Sequence, residues 1–219
     1  MKMVSAAKLK KAQDAITAMR PYADTLTQLL QNLSASIEDS SGSTYATERP
    51  IEKVLLVAIT SNRGLCGGFN SSIIKEVQAQ TKDKYVGKSV DVYAIGKKGH
   101  DILSKELTVA ANRSDVFDQL TYDEVSAVAE DIMQLFVSGA YDRIDLVYNR
   151  FKNAATQLVT SEQFLPIVPI QSEENPAADY IYEPAQSDIV NTLIPKALKT
   201  QLFKAIKDSF ASEHGARMT

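Results

Sequence analysis

Residues 59–72 read ITSNRGLCGGFNSS, and residues of these types could cradle a phosphate. Three glycines, Gly64, Gly67 and Gly68, follow the apolar run Val54-Leu55-Leu56-Val57-Ala58-Ile59 and precede a helical pattern that starts near Asn70. Strand, glycine loop and helix is the arrangement in which backbone N–H groups at a helix N-terminus hold an anion. The side chains that would complete a nucleotide site are not there. A Walker loop needs G-x-x-x-x-G-K-[ST], because its Lys reaches the terminal phosphates and its hydroxyl binds magnesium; here Phe69 stands where the Lys would be. The dinucleotide spacing G-x-G-x-x-G is absent too. The competing reading is a structural corner that uses glycine for positive φ and close backbone approach. Gly96-Lys97-Lys98-Gly99 reads the same way, as a turn with a solvated basic tip.

Other chemistry-bearing residues do not converge. His100 and His214 lie far apart in the chain, in no metal-ligand spacing. Cys66 sits in the glycine loop at a helix start, where a thiolate would be stabilised, but no His is near in sequence, so a buried structural cysteine is expected. Ser172-Glu173-Glu174-Asn175 reads as a solvated loop. Lys2, Lys8, Lys10 and Lys11 against the single Asp14 form a sharper cluster. A nucleic-acid arm would interleave aromatics; without them, a protein-contacting or solvated face ranks higher. No catalytic, cofactor or metal residue is assigned.

The elements that hold these residues follow from periodicity. Leu9, Ala12, Ile16, Met19, Ala23, Leu26, Leu30, Leu33 and Ile37 recur at alternating steps of three and four, the narrow seam of a coiled coil. Pro21 should kink this helix locally rather than end it. A long helix packed on its own domain is the alternative. A second helix from Ser187 carries Val190, Ile194, Ala197, Leu198, Leu202, Ala205, Ile206 and Phe210 on one side. The two should pair antiparallel, with Ile16, Met19, Leu26 and Leu30 against the face around Ile194, Leu198 and Leu202. The helix before about Ile16 should then lack support. Neither chain end carries a convincing cap or terminator, so each helix reads as part of a longer one.

Between them, strand and helix patterns alternate: strands at 54–60, 89–96, around 109–111 and 143–151, and helices at 70–82, 97–106 and 122–137. Alternation implies a mainly parallel sheet with right-handed crossovers. The strand-like runs RIDLVYNRF and TQLVTSEQFLPI are separated by KNAA alone, too short for a parallel crossover, so this pair is antiparallel. The expected fold is α/β, a mixed, mainly parallel Rossmann-like sheet with flanking helices, plus terminal helices forming part of an antiparallel coiled coil. The division is 1–40 for the first arm, 41–50 for a polar linker, 51–186 for the central domain and 187–219 for the start of the second arm.

Bulk properties exclude little but exclude it cleanly. The chain has 219 residues, 44% hydrophobic and 23% charged, with a net charge of −3, so nothing global favours nucleic acid or a membrane surface. One cysteine allows no internal disulfide. No apolar run approaches the roughly 18 residues that span a bilayer. The opening MKMVSAAKLKKAQ has no continuous apolar stretch of the secretory kind.

The opening MKMVSAAKLKKAQ, the corner SNRGLCGGFN, the stretch DYIYEP and the ending SEHGARM, in that order, resemble the gamma subunit of the F-type ATP synthase over essentially the whole chain. The resemblance implies a non-catalytic rotor shaft. It couples ATP synthesis or hydrolysis in a ring of alpha and beta subunits to ion translocation through a c ring, beside an epsilon-type subunit. It implies peripheral placement at the cytoplasmic face of a bacterial inner membrane, with no direct membrane insertion, no nucleic acid and no cofactor. Family members begin before Met1 and continue past Thr219, so the resemblance implies partial terminal helices. It makes Met1, Lys2, Lys8, Lys10 and Lys11 candidates for contact with acidic parts of the beta subunits, and Tyr180, Tyr182 and Glu183 candidates for a foot on the c ring. Gly64, Gly67 and Gly68 become a structural loop. No regulatory cysteine pair is present, so no thiol switch is implied. The alternative is a small-molecule-binding α/β domain with a coiled-coil dimerisation arm.

Overall fold

The run Lys53–Ile59 is apolar on both alternating faces, and six of its seven residues are buried, so it lies at the centre of a sheet covered on both sides. In the computed structural model, residues 2–36, 44–168 and 186–219 are described, with side chains over 6–29, 44–168 and 192–219. Helix α1 is Lys2–Ser36. Then come β1 Lys53–Ile59, α2 Phe69–Ala79, β2 Ser89–Ile95, α3 Lys97–Leu103, β3 Thr108–Asn112, α4 Tyr122–Val137, β4 Arg143–Asn153, β5 Thr156–Leu165 and α5 Gln186–Met218. The sheet order is β3-β2-β1-β4-β5. Strands β3, β2, β1 and β4 are parallel, and β5 pairs antiparallel with β4, as the short KNAA connection requires.

Alternation within the strands divides the core into two layers. Leu55, Val57 and Ile59 with Ile144, Leu146 and Tyr148 face α4 and α5. Val54, Leu56 and Ala58 with Val92 and Val147 face α2 and α3. Helix α4 begins where the residues say it should: Thr121 Oγ1 accepts from the N–H of Glu124, and Asp123 and Glu124 sit in the positive first turn. Helix α2 ends in a wider turn over Gln80–Lys84, where the Tyr85 N–H reaches back to the Gln80 carbonyl.

Helix α1 passes through Pro21 without a break and lies antiparallel on α5. Leu9, Ala12, Ile16, Ala23 and Leu26 are all buried, so the predicted seam is the contact face over the described side chains. Its partners match the expected ones only in part, and the side chain of Leu30 lies outside the described residues. Leu26 joins Ile194, Leu198 and Leu202 in the main core, but Ile16 packs with Phe151 of β4 and Ala211, well away from Ile194. Periodicity identifies a face and says nothing about axial register. Nor is the helix before Ile16 bare: Leu9 and Ala12 are buried in the same cluster, with Phe210 and Met218 packed against it. The segment 44–50 is also more than a spacer. The Arg49 guanidinium donates to the Phe136 carbonyl at 2.7 Å and lies 4.6 Å over the Phe136 ring, and the Tyr45 carbonyl accepts from Ile167 N–H.

Candidate functional site

The glycine corner follows β1 at the centre of the sheet, where the chain reverses its direction of strand addition between β2 and β4. In open α/β sheets this is the place for a ligand crevice. Here the chain's own polar groups fill it. The Asn70 side-chain oxygen accepts from Ser61 N–H at 2.9 Å, and Ser61 Oγ donates to the Arg63 carbonyl. From β4, Asn149 Nδ2 donates to the Phe69 carbonyl at 2.9 Å. From the last turn of α5, Arg217 donates to the carbonyls of Gly64 at 2.9 Å and Arg63 at 3.2 Å. A phosphate loop turns N–H groups toward its ligand. This loop turns carbonyls toward a guanidinium, so it binds a cation that the chain itself supplies. ATP, NAD or magnesium should therefore produce no thermal shift; a saturable upward shift with any of them would contradict this geometry.

Of the three glycines, only Gly67 is called for by its backbone. Gly67 has φ +55, yet a Cβ there would meet no atom within 4 Å. Gly64 and Gly68 have ordinary φ, and a Cβ on them would approach other atoms only to 3.9 and 4.0 Å. The close backbone approach expected of this loop belongs instead to the second corner. At Gly96, with φ +114, a Cβ would lie 2.2 Å from the Thr60 carbonyl oxygen, and at Gly99 it would lie 2.8 Å from Thr60 Oγ1. Thr60 is fully buried and its Oγ1 accepts from Gly99 N–H, so the two loops are zipped together. Leu65, at the tip of the first loop, has φ +60 and is 94% exposed. Cys66 beside it is buried, with its sulfur within hydrogen-bonding reach of Ser61 and Asn70. Its environment is structural, as expected.

Lys8, Lys10 and Lys11 are exposed on α1. Met1 and the side chain of Lys2 lie outside the described residues, as do Tyr180, Tyr182 and Glu183. Lys8 and Lys11 lie near enough to the end of α5 to act on its charges. Burial first, and then Lys11, holds the half-buried Lys207 ammonium below its ordinary pKa. Arg217 pairs with Glu213, whose pKa is raised by burial against the lowering effect of Arg217, Arg63 and Lys8. No group of three His, Cys, Asp or Glu able to hold a metal ion is present among the described residues.

His214 is buried against the Phe210 ring, 4.4 Å away edge-on, and neither ring nitrogen has a hydrogen-bond partner among the described residues. Burial, then Lys8 and Arg217, depresses its pKa from 6.5 to about 4. A depressed histidine stays neutral in the folded chain while the unfolded chain takes up a proton. Stability that is full above pH 6.5 is therefore lost as pH falls toward about 4. The loss approaches about 1.4 kcal/mol for each pH unit within that window. Comparing urea unfolding of the chain and of His214→Leu isolates this slope from that of Glu213 and Glu162, whose raised pKa values act in the opposite sense. Equal slopes for the two proteins would contradict it.

Sequence reasoning did not find Arg20, Asp208, Asn149 or Arg217. One signal was available. Asp208, Ser209, Ser212 and His214 interrupt the apolar face of the last helix, and all four are buried. A polar stripe on a buried face demands partners. Arg20 meets that demand for Asp208 at 2.5 Å and also donates to the Phe151 carbonyl at 2.6 Å.

A family model described as ATP synthase matches residues 1–219. The ATP synthase gamma chain of Flavobacterium johnsoniae is 64% identical over 220 residues, covering all of this chain and 77% of the relative. That of Christiangramia forsetii is 59% identical and that of Geobacter metallireducens 40%, with the same coverage. Among solved structures, a chain of the central stalk/c-ring of the Tetrahymena thermophila mitochondrial ATP synthase superposes with a TM-score of 0.72 at 26% identity. The match covers 100% of this chain and 94% of that one. A chain of the Euglena gracilis mitochondrial ATP synthase rotor shares the fold, with a TM-score of 0.58 at 16% identity over 99% and 88% of the two chains.

Proposed function

Because the chain belongs to the family of ATP synthase gamma chains, we propose that it works as the rotor of the central stalk and carries no catalytic site of its own. It couples catalysis in a ring of alpha and beta subunits to ion translocation through a c ring, with an epsilon-type subunit beside its α/β domain. The observation that carries this reading is the antiparallel α1–α5 pair, seated on the sheet by Arg20, Phe151 and Asp208. A stalk must be a stiff, asymmetric body whose orientation is felt by its partners, so that each orientation favours a different state of each catalytic subunit. The filled crevice supports the same reading, since it leaves the usual ligand position of this fold to Arg217.

Lys8, Lys10 and Lys11 meet acidic surface on the beta subunits, and Tyr180, Tyr182 and Glu183 meet the polar loops of the c ring. Tyrosine offers a large rigid apolar area with a hydroxyl that stays hydrogen-bonded. No helix among the described residues is long and apolar enough to cross a membrane. The proposed place is peripheral, at the cytoplasmic face of a bacterial inner membrane. Tyr182→Ala and Glu183→Lys, introduced into the complete subunit in its complex, should leave ATP hydrolysis by the detached soluble part unchanged and weaken ATP-driven ion pumping. Full pumping in both variants would remove the foot from this proposal. Failure of the unaltered chain to enter a complex with alpha and beta subunits would remove the rotor reading itself.

A further inference from the structure

The seam that joins α1 to α5 repeats an apolar residue at nearly every turn, so burial alone barely separates one axial register from the next. Charges on the flanks of the seam do separate them. Arg20 Nη2 meets Asp208 Oδ1 at 2.5 Å, and Lys204 Nζ meets Asp24 Oδ1 at 2.7 Å. Between the two pairs, α1 advances by four residues as α5 retreats by four, as antiparallel helices require.

We propose that Arg20 and Asp24 on α1, with Lys204 and Asp208 on α5, form a register lock that prevents the helices from sliding past each other by one turn. A slide in one direction sets Arg20 against Lys204. A slide in the other brings Asp24 to Asp208 and leaves Arg20 facing Ser212. Both alternatives confront like charges, and both strip a fully buried carboxylate of its cation. Helix α5 is the fixed member. Asp208 also accepts from Phe151 N–H at 3.1 Å, and Ser212 Oγ donates to the Asn149 carbonyl at 2.9 Å. Gly215 packs so closely on Ala154 that a Cβ would lie 3.0 Å from its carbonyl oxygen. Helix α1 is therefore the part that would move. The Asp24 side chain is 54% exposed, so its attraction to Lys204 is weak; its contribution is the repulsion that it brings to the wrong register. The importance of the lock for torque rests on the rotor reading, because a stalk that slipped would lose part of its stroke. Register itself is a property of the isolated chain and is tested there, so its failure and that of the rotor reading are separable.

Spin labels on Gln13→Cys and Lys196→Cys, both exposed and far apart along the arm, report the axial offset through their distance; buried Cys66 is not labelled. The parent should show one distance. In Arg20→Gln with Asp24→Lys, the cation of α1 sits one turn later, so α1 must move toward its own N-terminus for that cation to reach Asp208. A population with a distance longer by about 5 Å, the rise of one turn, is expected. Asp24→Asn alone should keep the parent distance. An unchanged distance in the double variant overturns the lock. So does a broad distribution with no lengthened peak, or a shift in Asp24→Asn.

Discussion

Arg20→Met should lower the unfolding free energy by about 3 kcal/mol, the lower end of what the loss of one member of a buried ion pair costs. The low end applies because the Arg20 side chain is itself 25% exposed, whereas Asp208 is not exposed at all. Oδ1 of Asp208 takes donors from Arg20 and from Phe151 N–H, while Oδ2 has no partner among the described residues. Without Arg20, one backbone N–H is left to stabilise a fully buried carboxylate. Arg20 also satisfies the Phe151 carbonyl, so its loss costs the sheet as well as the arm. Arg20→Met with Asp208→Leu removes both charges and should recover part of the stability, because the orphaned carboxylate is gone while the Phe151 N–H and carbonyl lose these partners. Urea unfolding of the two single variants and the double variant checks this. Simple addition of the single losses in the double variant would show that the two side chains act separately.

Gly96→Ala should cost at least as much. Its Cβ would sit 2.2 Å from the Thr60 carbonyl oxygen, a backbone atom that cannot rotate aside, and φ +114 is a conformation that L residues avoid. Separating the two loops would break the Thr60 N–H bond to the Ile95 carbonyl and the Gly99 N–H bond to Thr60 Oγ1. A loss of about 3 kcal/mol or more is expected, within the range for forced backbone shifts combined with strain. Gly64→Ala should be nearly neutral, since only the flexible end of Lys98 lies within reach. Gly67→Ala should fall between, at about 1 kcal/mol, from its positive φ alone. Thermal unfolding of the three variants orders them. A loss at Gly64 that matched or exceeded that at Gly96 would contradict the geometry.

These glycines show what a single sequence makes legible. Period-two and heptad patterns report burial, which is local to each element. Hence β1 and the span of α4 were readable from their own residues, and so were the antiparallel β4–β5 pair and the seam from Leu9 to Leu26. Which glycine meets another backbone depends on Thr60, 36 residues from Gly96, and a glycine-rich string looks alike in either role. The partner of Asp208 is 188 residues away, and the register that joins them is not a property of either helix. Nothing in its own helix marks Arg217 as a partner of the loop; its contact with the Gly64 carbonyl spans 153 residues. The basic residues Lys8, Lys10 and Lys11 were legible as an exposed face because solvated charge needs no partner to be recognised.

Rotation tests the central claim most directly. With alpha and beta subunits held on a surface and a visible marker fixed to Val86→Cys, an exposed position far in sequence from both arms, ATP should drive the marker continuously in one direction. A marker that stays still while the same complexes hydrolyse ATP would contradict the account of this chain as a rotor.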